Sequence, residues 1–240
     1  MEFTKRDNTE RKNTQKYFDK LPAHYKEATI KYDELYSSVA ANINQDLKGR
    51  VLDIGSGGII NYDRSLCKRL ILLDITKSNV KKEGNTYFVM GDCTSIGLTK
   101  ESVDMVIMQS LIHHLAEKSH KKTLLNIEKS FKEGYRVLKP GGSMFILENC
   151  PSRIIERIEI ILYPFLSLIY KIIKFPLVFA HSQKTLKDLL MKCGFKEVSI
   201  KKIQLQGNIP ILGFDIPEKY VPMIISIIRA KKEHQGTLRK

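Results

Sequence analysis

The sequence predicts an α/β fold built on a doubly wound, mostly parallel sheet, and three observations predict it. Short apolar runs (VLDI 51–54, LILL 70–73, TYFVM 86–90, VDMVIM 103–108, SMFILE 143–148) alternate with helical or loop segments, as in a sheet covered on both faces. The first run breaks into glycines, GSGG at 55–58, where bare backbone can approach a ligand. Carboxylates stand where the first three runs stop: Asp53, Asp74 and Asp92.

Taken in order, residues 1–14 are polar and read as a flexible basic N-terminus. From Thr14 to about Asn42, Tyr17, Phe18, Leu21, Tyr25, Ile30 and Leu35 recur at roughly helical spacing, and Pro22 divides the stretch into two helices. They form a helical cap over 15–48, ahead of a main domain over 49–235 and a tail at 236–240. A helix is expected after the glycines, then strands 70–73, 86–90 and 103–108, a helix over 121–137 and strand 143–148. Gly194 and Phe195 lead into VSIKKIQL and a later run, MIISIIRA, which suggest an antiparallel pair at the sheet's edge. Between them and the fifth strand lies an insertion, 151–181, whose core, 154–180, is the most hydrophobic stretch of the chain. Its longest uncharged part, 160–170, falls short of the ~20 residues that cross a bilayer, and Pro164 and Pro176 interrupt it. Two readings stay open: an insertion that roofs the site, or an interfacial patch that rests on a membrane or admits a lipid-like substrate.

Length and composition fit one domain: 240 residues, 42 % of them hydrophobic. Forty Lys and Arg against 26 Asp and Glu give a net charge of +14, pointing to nucleic acid, an anionic membrane or an acidic substrate, although basic clusters near both termini supply much of the excess. Cys67, Cys93, Cys150 and Cys193 form no CxxC pair, so no zinc site or disulfide framework is suggested. The polar N-terminus has no secretory core, and a cytoplasmic protein is expected, with peripheral contact to the inner membrane surface through 154–180 as the open alternative.

Ligands of such sheets sit beyond the carboxyl ends of the strands. Asp74, about 20 residues after the glycines, is placed to accept from both ribose hydroxyls of a nucleoside. Asp92 could accept from the exocyclic amine of adenine, with the N–H of Cys93 facing a ring nitrogen. In Gly55-Ser56-Gly57-Gly58-Ile59-Ile60, isoleucine stands where a dinucleotide site has its third glycine, so NAD is disfavoured. No phosphate-binding G-x-x-x-x-G-K-[ST] occurs.

VLDIGSGG, LLD at 72–74, GDC at 91–93, VDMVIMQSLIHHL at 103–115, EGYRVLKPGGSMFILE at 133–148 and HSQKTLKDLLMKCGFKEVSI at 181–200 resemble, in order and spacing, the motifs of class I S-adenosylmethionine-dependent methyltransferases. The resemblance covers roughly residues 15–205. It implies a Rossmann-like seven-stranded sheet with a reversed last strand, S-adenosylmethionine as cofactor and S-adenosylhomocysteine as product. It implies that Asp53, Gly55 and Gly57 meet the methionine portion, Asp74 the ribose, Asp92 and Cys93 the adenine, and the Gln109 backbone the amino-acid end, with Ser56 and Ile75 also counted among the cofactor-binding residues. Tyr17 and Tyr25 would close over the cofactor. The chain departs from the family at Ile59, where a glycine or small residue is usual.

Methyl transfer from a sulfonium is an in-line displacement that asks mainly for alignment and exclusion of water. A hydroxyl or phenol acceptor benefits from a base, and histidine can serve near neutral pH. His114 and His113, after the fourth strand, are the first candidates, His114 ahead because the resembling branch often turns that histidine inward; His181, at the end of the insertion, is another. Each has packing or capping as its competing role, and no metal is expected. The acceptor is read as a small, partly apolar molecule, O- or N-methylated. RNA or protein is the alternative acceptor, disfavoured for nucleic acid because QSLIHH replaces the [DNS]-P-P-[YF] tetrad. A non-catalytic nucleoside-binding or membrane-attached module is the alternative of another class. Oligomeric state is left open.

Overall fold

The computed structural model describes residues 9–20, 33–57, 60–76, 84–173, 175–203, 208–211, 214–217 and 222–234. Helix α1 (Thr9–Lys20) starts inside the segment expected to be flexible, and α2 (Asp33–Asn44) follows. Strands β1 (Arg50–Ile54), β2 (Arg69–Asp74), β3 (Thr86–Met90), β4 (Val103–Gln109) and β5 (Leu138–Pro151) lead to β6 (Glu197–Lys202), the hairpin β7 (Asn208–Ile211) and β8 (Phe214–Pro217), and β9 (Met223–Lys231). Helix α3 (His120–Val137) precedes β5; α4 (Arg153–Ile172) and α5 (Gln183–Lys192) lie between β5 and β6.

The seven-stranded sheet has the order β3-β2-β1-β4-β5-β9-β6. β1 to β5 pair in parallel, and β9 runs antiparallel to both β5 and β6. The expected antiparallel pair is therefore present, with β6 at the edge and β9 inside. The small hairpin β7/β8 was not anticipated.

Alternation along β1 shows how the two cores form. Leu52 and Ile54 join Val106, Met108, Ile127 and Phe131 on one face, while Val51 joins Val39, Ile43, Leu70 and Ile107 on the other. Helix α2 thus packs into the core on that face of the sheet through Val39 and Ile43.

Three elements differ from expectation for identifiable reasons. Among the described residues between β1 and β2, the only helical turn is a 3₁₀ turn at Arg64–Leu66. Asp63 starts it by accepting from the Ser65 N–H at 2.9 Å, and a run of Asn61, Asp63 and Ser65 offers side-chain bonds that compete with a longer helix. β5 extends well past 143–148, because β9 continues the ladder from Ser143↔Lys231 to Pro151↔Met223. Pro164 does not end its helix: α4 runs through it for 20 residues.

RVLKPGG, within the stretch at 133–148, is a structural joint. Arg136 donates to the carbonyls of Leu98 and Ile96, at 2.8 and 2.7 Å, and to Glu133, tying α3 to the loop before β4. Gly142 admits no side chain: a Cβ there would lie 2.9 Å from the Asp104 carbonyl oxygen.

Candidate active site

The glycine turn closes the end of β1 against β2. Gly55, at φ +76°, donates to the Leu73 carbonyl at 2.8 Å, and a Cβ on it would collide with Leu111. Gly57 donates to Asp74 Oδ2 at 2.9 Å, and Ser56 lies between the two. Asp74 Oδ1 accepts from the Thr76 N–H and hydroxyl at 2.9 and 2.8 Å. Three bonds on a carboxylate with roughly four acceptor positions leave room for one more. A single ribose hydroxyl can join as the site stands; accepting from both requires the Gly57 bond to yield.

Asp53 is wholly buried, and its Oδ2 accepts from the Tyr62 hydroxyl at 2.7 Å. Its Oδ1 is buried with no partner. Burial pushes the carboxyl up to about 7; the Tyr62 hydrogen bond opposes the rise and the neighbouring Asp74 charge adds to it.

At the end of β3, Asp92 Oδ1 accepts from the Thr94 N–H and hydroxyl, at 2.8 and 2.9 Å. Its Oδ2 pairs with Arg11 of α1. Cys93 is buried, and burial raises its thiol to about 12, so it remains protonated. Gln15 of α1 donates to the Ile75 carbonyl at 2.7 Å. Helix α1 therefore spans the ends of β2 and β3, held by polar contacts that sequence reading missed. Its Tyr17 ring packs 5.0 Å from Phe175 and its Phe18 ring 5.0 Å from His114. Tyr25 lies outside the described residues.

The end of β4 turns sharply. Gln109 exchanges two side-chain hydrogen bonds with Asn61, both 3.0 Å, and Ser110 adopts φ +50°, an uncommon conformation for a side-chain-bearing residue. The chain then enters a 3₁₀ turn, Ile112–Leu115, which throws the two histidines into different environments. His113 Nδ1 lies 2.8 Å from Glu148 Oε2, and Glu148 Oε1 accepts from the Ile112 N–H at 2.6 Å. Burial would lower the His113 pKa, but the Glu148 charge and hydrogen bond outweigh it and raise it. The His113 ring keeps 22 % exposure, while Glu148 is buried. His114 Nδ1 is buried without a partner, and burial plus the adjacent His113 hold this ring well below the usual imidazole range, hence neutral.

His181 is fully enclosed, with Nδ1 3.2 Å from Glu156 Oε1 and its ring 4.8 Å from Phe179. Glu156 also accepts from the Thr185 hydroxyl at 2.9 Å, so the cluster fastens α4 to α5 and sits behind Phe179 rather than on the rim. Hydrogen bonding from His181, Ser182 and Thr185 holds the Glu156 carboxyl down to about 2 against the effect of its burial. Among the described residues no three His, Cys, Asp or Glu side chains gather as metal ligands, and all four cysteines are free and buried.

Sheet order, reversed β9 and a polar rim at the ends of β1 to β4 define an α/β fold of the class I methyltransferase type. Residues 52–146 match the family described as "Methyltransferase domain". No curated protein is similar enough in sequence to count as a relative. Among solved structures, a putative methyltransferase of Haloferax volcanii in complex with the Trm112 methyltransferase activator is 17 % identical, with TM-score 0.63 over 95 % of this chain and 99 % of that one. A possible histamine N-methyltransferase of Thermotoga maritima is 18 % identical, TM-score 0.58, over 91 % and 99 %. A methyltransferase of Methanosarcina mazei is 19 % identical, TM-score 0.53, over 81 % and 97 %. The chain thus carries a match to a methyltransferase domain over 52–146, on a sheet with the order found in class I methyltransferases. The site suits S-adenosylmethionine: Gly55 holds a φ of +76° that a side-chain-bearing residue rarely adopts, and Asp53 Oδ1 is an acceptor in want of a donor.

Proposed function

We propose that the protein transfers the methyl group of S-adenosylmethionine to a hydroxyl or amine of a small, partly apolar acceptor, with His113 as the base. The observation that carries this reading is the His113–Glu148 pair, 2.8 Å apart at the end of β4. A carboxylate on Nδ1 fixes the tautomer with its proton there and leaves Nε2 free to take the acceptor's proton as the new bond to carbon forms. When bound, S-adenosylmethionine supplies a methyl group activated on a sulfonium. Asp53 receives its ammonium, Asp74 a ribose hydroxyl, and Asp92 the adenine amine once Arg11 gives way. The Gln109 backbone lies beside the amino-acid end, where the Asn61 pair holds the strand in place. Tyr17, Phe18 and Phe175 enclose the acceptor side with apolar surface, exclude water and favour an acceptor with an apolar body. His114, neutral and packed against Phe18, serves as part of that wall, and His181 anchors α4. An apolar acceptor would arrive from a membrane surface by way of 154–180.

Labelled S-adenosylmethionine offered with a panel of partly apolar phenols, alcohols and amines tests the reading. Label transfer to one class, lost in His113→Gln, is expected. Transfer to RNA or protein and to none of the small molecules would overturn it in favour of the acceptor class that a net charge of +14 suits.

A further inference from the structure

Helix α4, about 30 Å long at 1.5 Å per residue, has two faces of opposite purpose. Inward, Tyr163 is buried and lies 3.1 Å from the Thr123 hydroxyl, and Glu156 holds His181 and Thr185. Outward, Ile154, Ile158, Ile161, Phe165, Leu168 and Ile172 recur at alternating steps of four and three residues, which keeps them on one side of the helix. They are 71, 50, 76, 62, 52 and 69 % exposed, and Leu162 and Ile169 widen the strip. No other described helix leaves its apolar face outward in this way, and a contiguous patch of this kind marks an interaction surface.

Charge identifies the partner. At 3.6 residues per turn, Arg153, Arg157 and Lys171 fall together along one flank of the apolar strip, and all three are exposed. The helix's two acids, Glu156 and Glu159, turn the other way: Glu156 is buried, and Glu159 Oε2 is buried without a partner. The outward half of α4 is thus apolar and cationic, with no carboxylate. A second copy of the chain would bring cations against cations with no acid to receive them, and the strip is broader than the narrow seam of a coiled coil. No described helix is long and apolar enough to cross a membrane.

We propose that α4 is an interfacial helix lying flat on an anionic lipid bilayer, its apolar strip sunk among the acyl chains and its Arg153, Arg157 and Lys171 flank paired with lipid headgroups. This rests on the proposed function only for what the surface serves. Phe175, just past the helix, packs on Tyr17, and the Phe179 N–H donates to the His113 carbonyl at 3.0 Å, so a helix lying on lipid sets the acceptor rim beside it.

Flotation of the full chain with phosphatidylcholine vesicles, with and without phosphatidylserine, tests it in the absence of cofactor and acceptor. The protein is expected to float with the anionic vesicles roughly tenfold or more better than with neutral ones. Ile161→Glu with Phe165→Glu should remove the retention, and Arg153→Glu with Arg157→Glu the preference for phosphatidylserine. Both variants should keep the wild-type melting temperature and S-adenosylmethionine affinity, because the changed side chains are exposed. Three results would overturn it: no retention on anionic vesicles, retention unchanged by the Ile161/Phe165 variant, or a dimer in sedimentation that this variant splits. Failure here leaves the methyl-transfer reading intact, since that reading is tested by label transfer in solution.

Discussion

The two neighbouring histidines, 113 and 114, stand in different environments, one against Glu148 and one buried without a partner, and in the proposed mechanism that difference selects His113. Glu148→Gln keeps the size of the side chain but can donate to His113 Nδ1, which moves the ring proton to Nε2 and blocks its use as a base. We expect kcat to fall roughly a hundredfold or more, with cofactor affinity unchanged. The wild-type kcat/KM should rise with pH to a plateau above a His113 pKa that lies higher than that of free imidazole, because the base must be neutral. In Glu148→Gln the residual activity should lose that limb or show it at lower pH; an unchanged profile would remove Glu148 from the mechanism. Asp53 offers a second test. With its pKa near 7 it is about half protonated at pH 7, and meeting an ammonium there must drive the proton off. Calorimetry in two buffers of different ionisation enthalpy should show release of up to about half a proton per cofactor bound. Without cofactor the sign runs the other way for stability. The native state holds the proton that the unfolded chain loses above about pH 4, so this residue costs stability increasingly as pH rises from there to 7. Asp53→Asn should raise the melting temperature at pH 8 and do so less at pH 5.

At the scale of elements, the proposed adenine site at Asp92 would set α1 in competition with the cofactor. Arg11 pairs with Asp92 while both side chains stay about a quarter exposed, an ion pair worth at most about 1 kcal/mol. Arg11→Ala should therefore tighten S-adenosylmethionine binding by up to roughly fivefold; weaker binding would mean that Arg11 holds the ligand rather than its place. Pro164 in α4 cannot donate to the Ile160 carbonyl, and it sits on the exposed side of the helix. Pro164→Ala should stabilise the protein by up to about 3 kcal/mol, read as a higher melting temperature. An unchanged or lower value would show that a bend at this point is needed where Tyr163 packs.

Across the whole molecule, what was legible in the sequence follows the range of the interaction that decided it. Strands β1, β2 and β4 stand close to where apolar runs put them, because a parallel strand buried on both faces writes its burial directly into composition; β3, a largely exposed edge strand, was legible only through its β-branched and aromatic residues. Asp53, Asp74 and Asp92 stood out in the sequence because they close such runs, which the sheet sets side by side as β1, β2 and β3. Glu148 was missed although it lies in SMFILE; a lone acid closing an apolar strand was the available signal, but its partner is 35 residues away. Asn61, Ser110, Arg11 and Gln15 had no local signal at all, since each matters through a contact made only by the folded chain. Local rules misled at two places: turn-forming side chains replaced the helix expected after the glycines, and packing through Tyr163 and Glu156 carried α4 past its proline.

Titration calorimetry with S-adenosylmethionine, on the wild type and on Asp74→Ala, bears on the central claim most directly. The wild type should bind one cofactor, and loss of the carboxylate that ties Gly57 to the strand end should weaken binding by about 1–3 kcal/mol, roughly 5- to 150-fold. Equal affinity in the two proteins, or no binding to either, would contradict it.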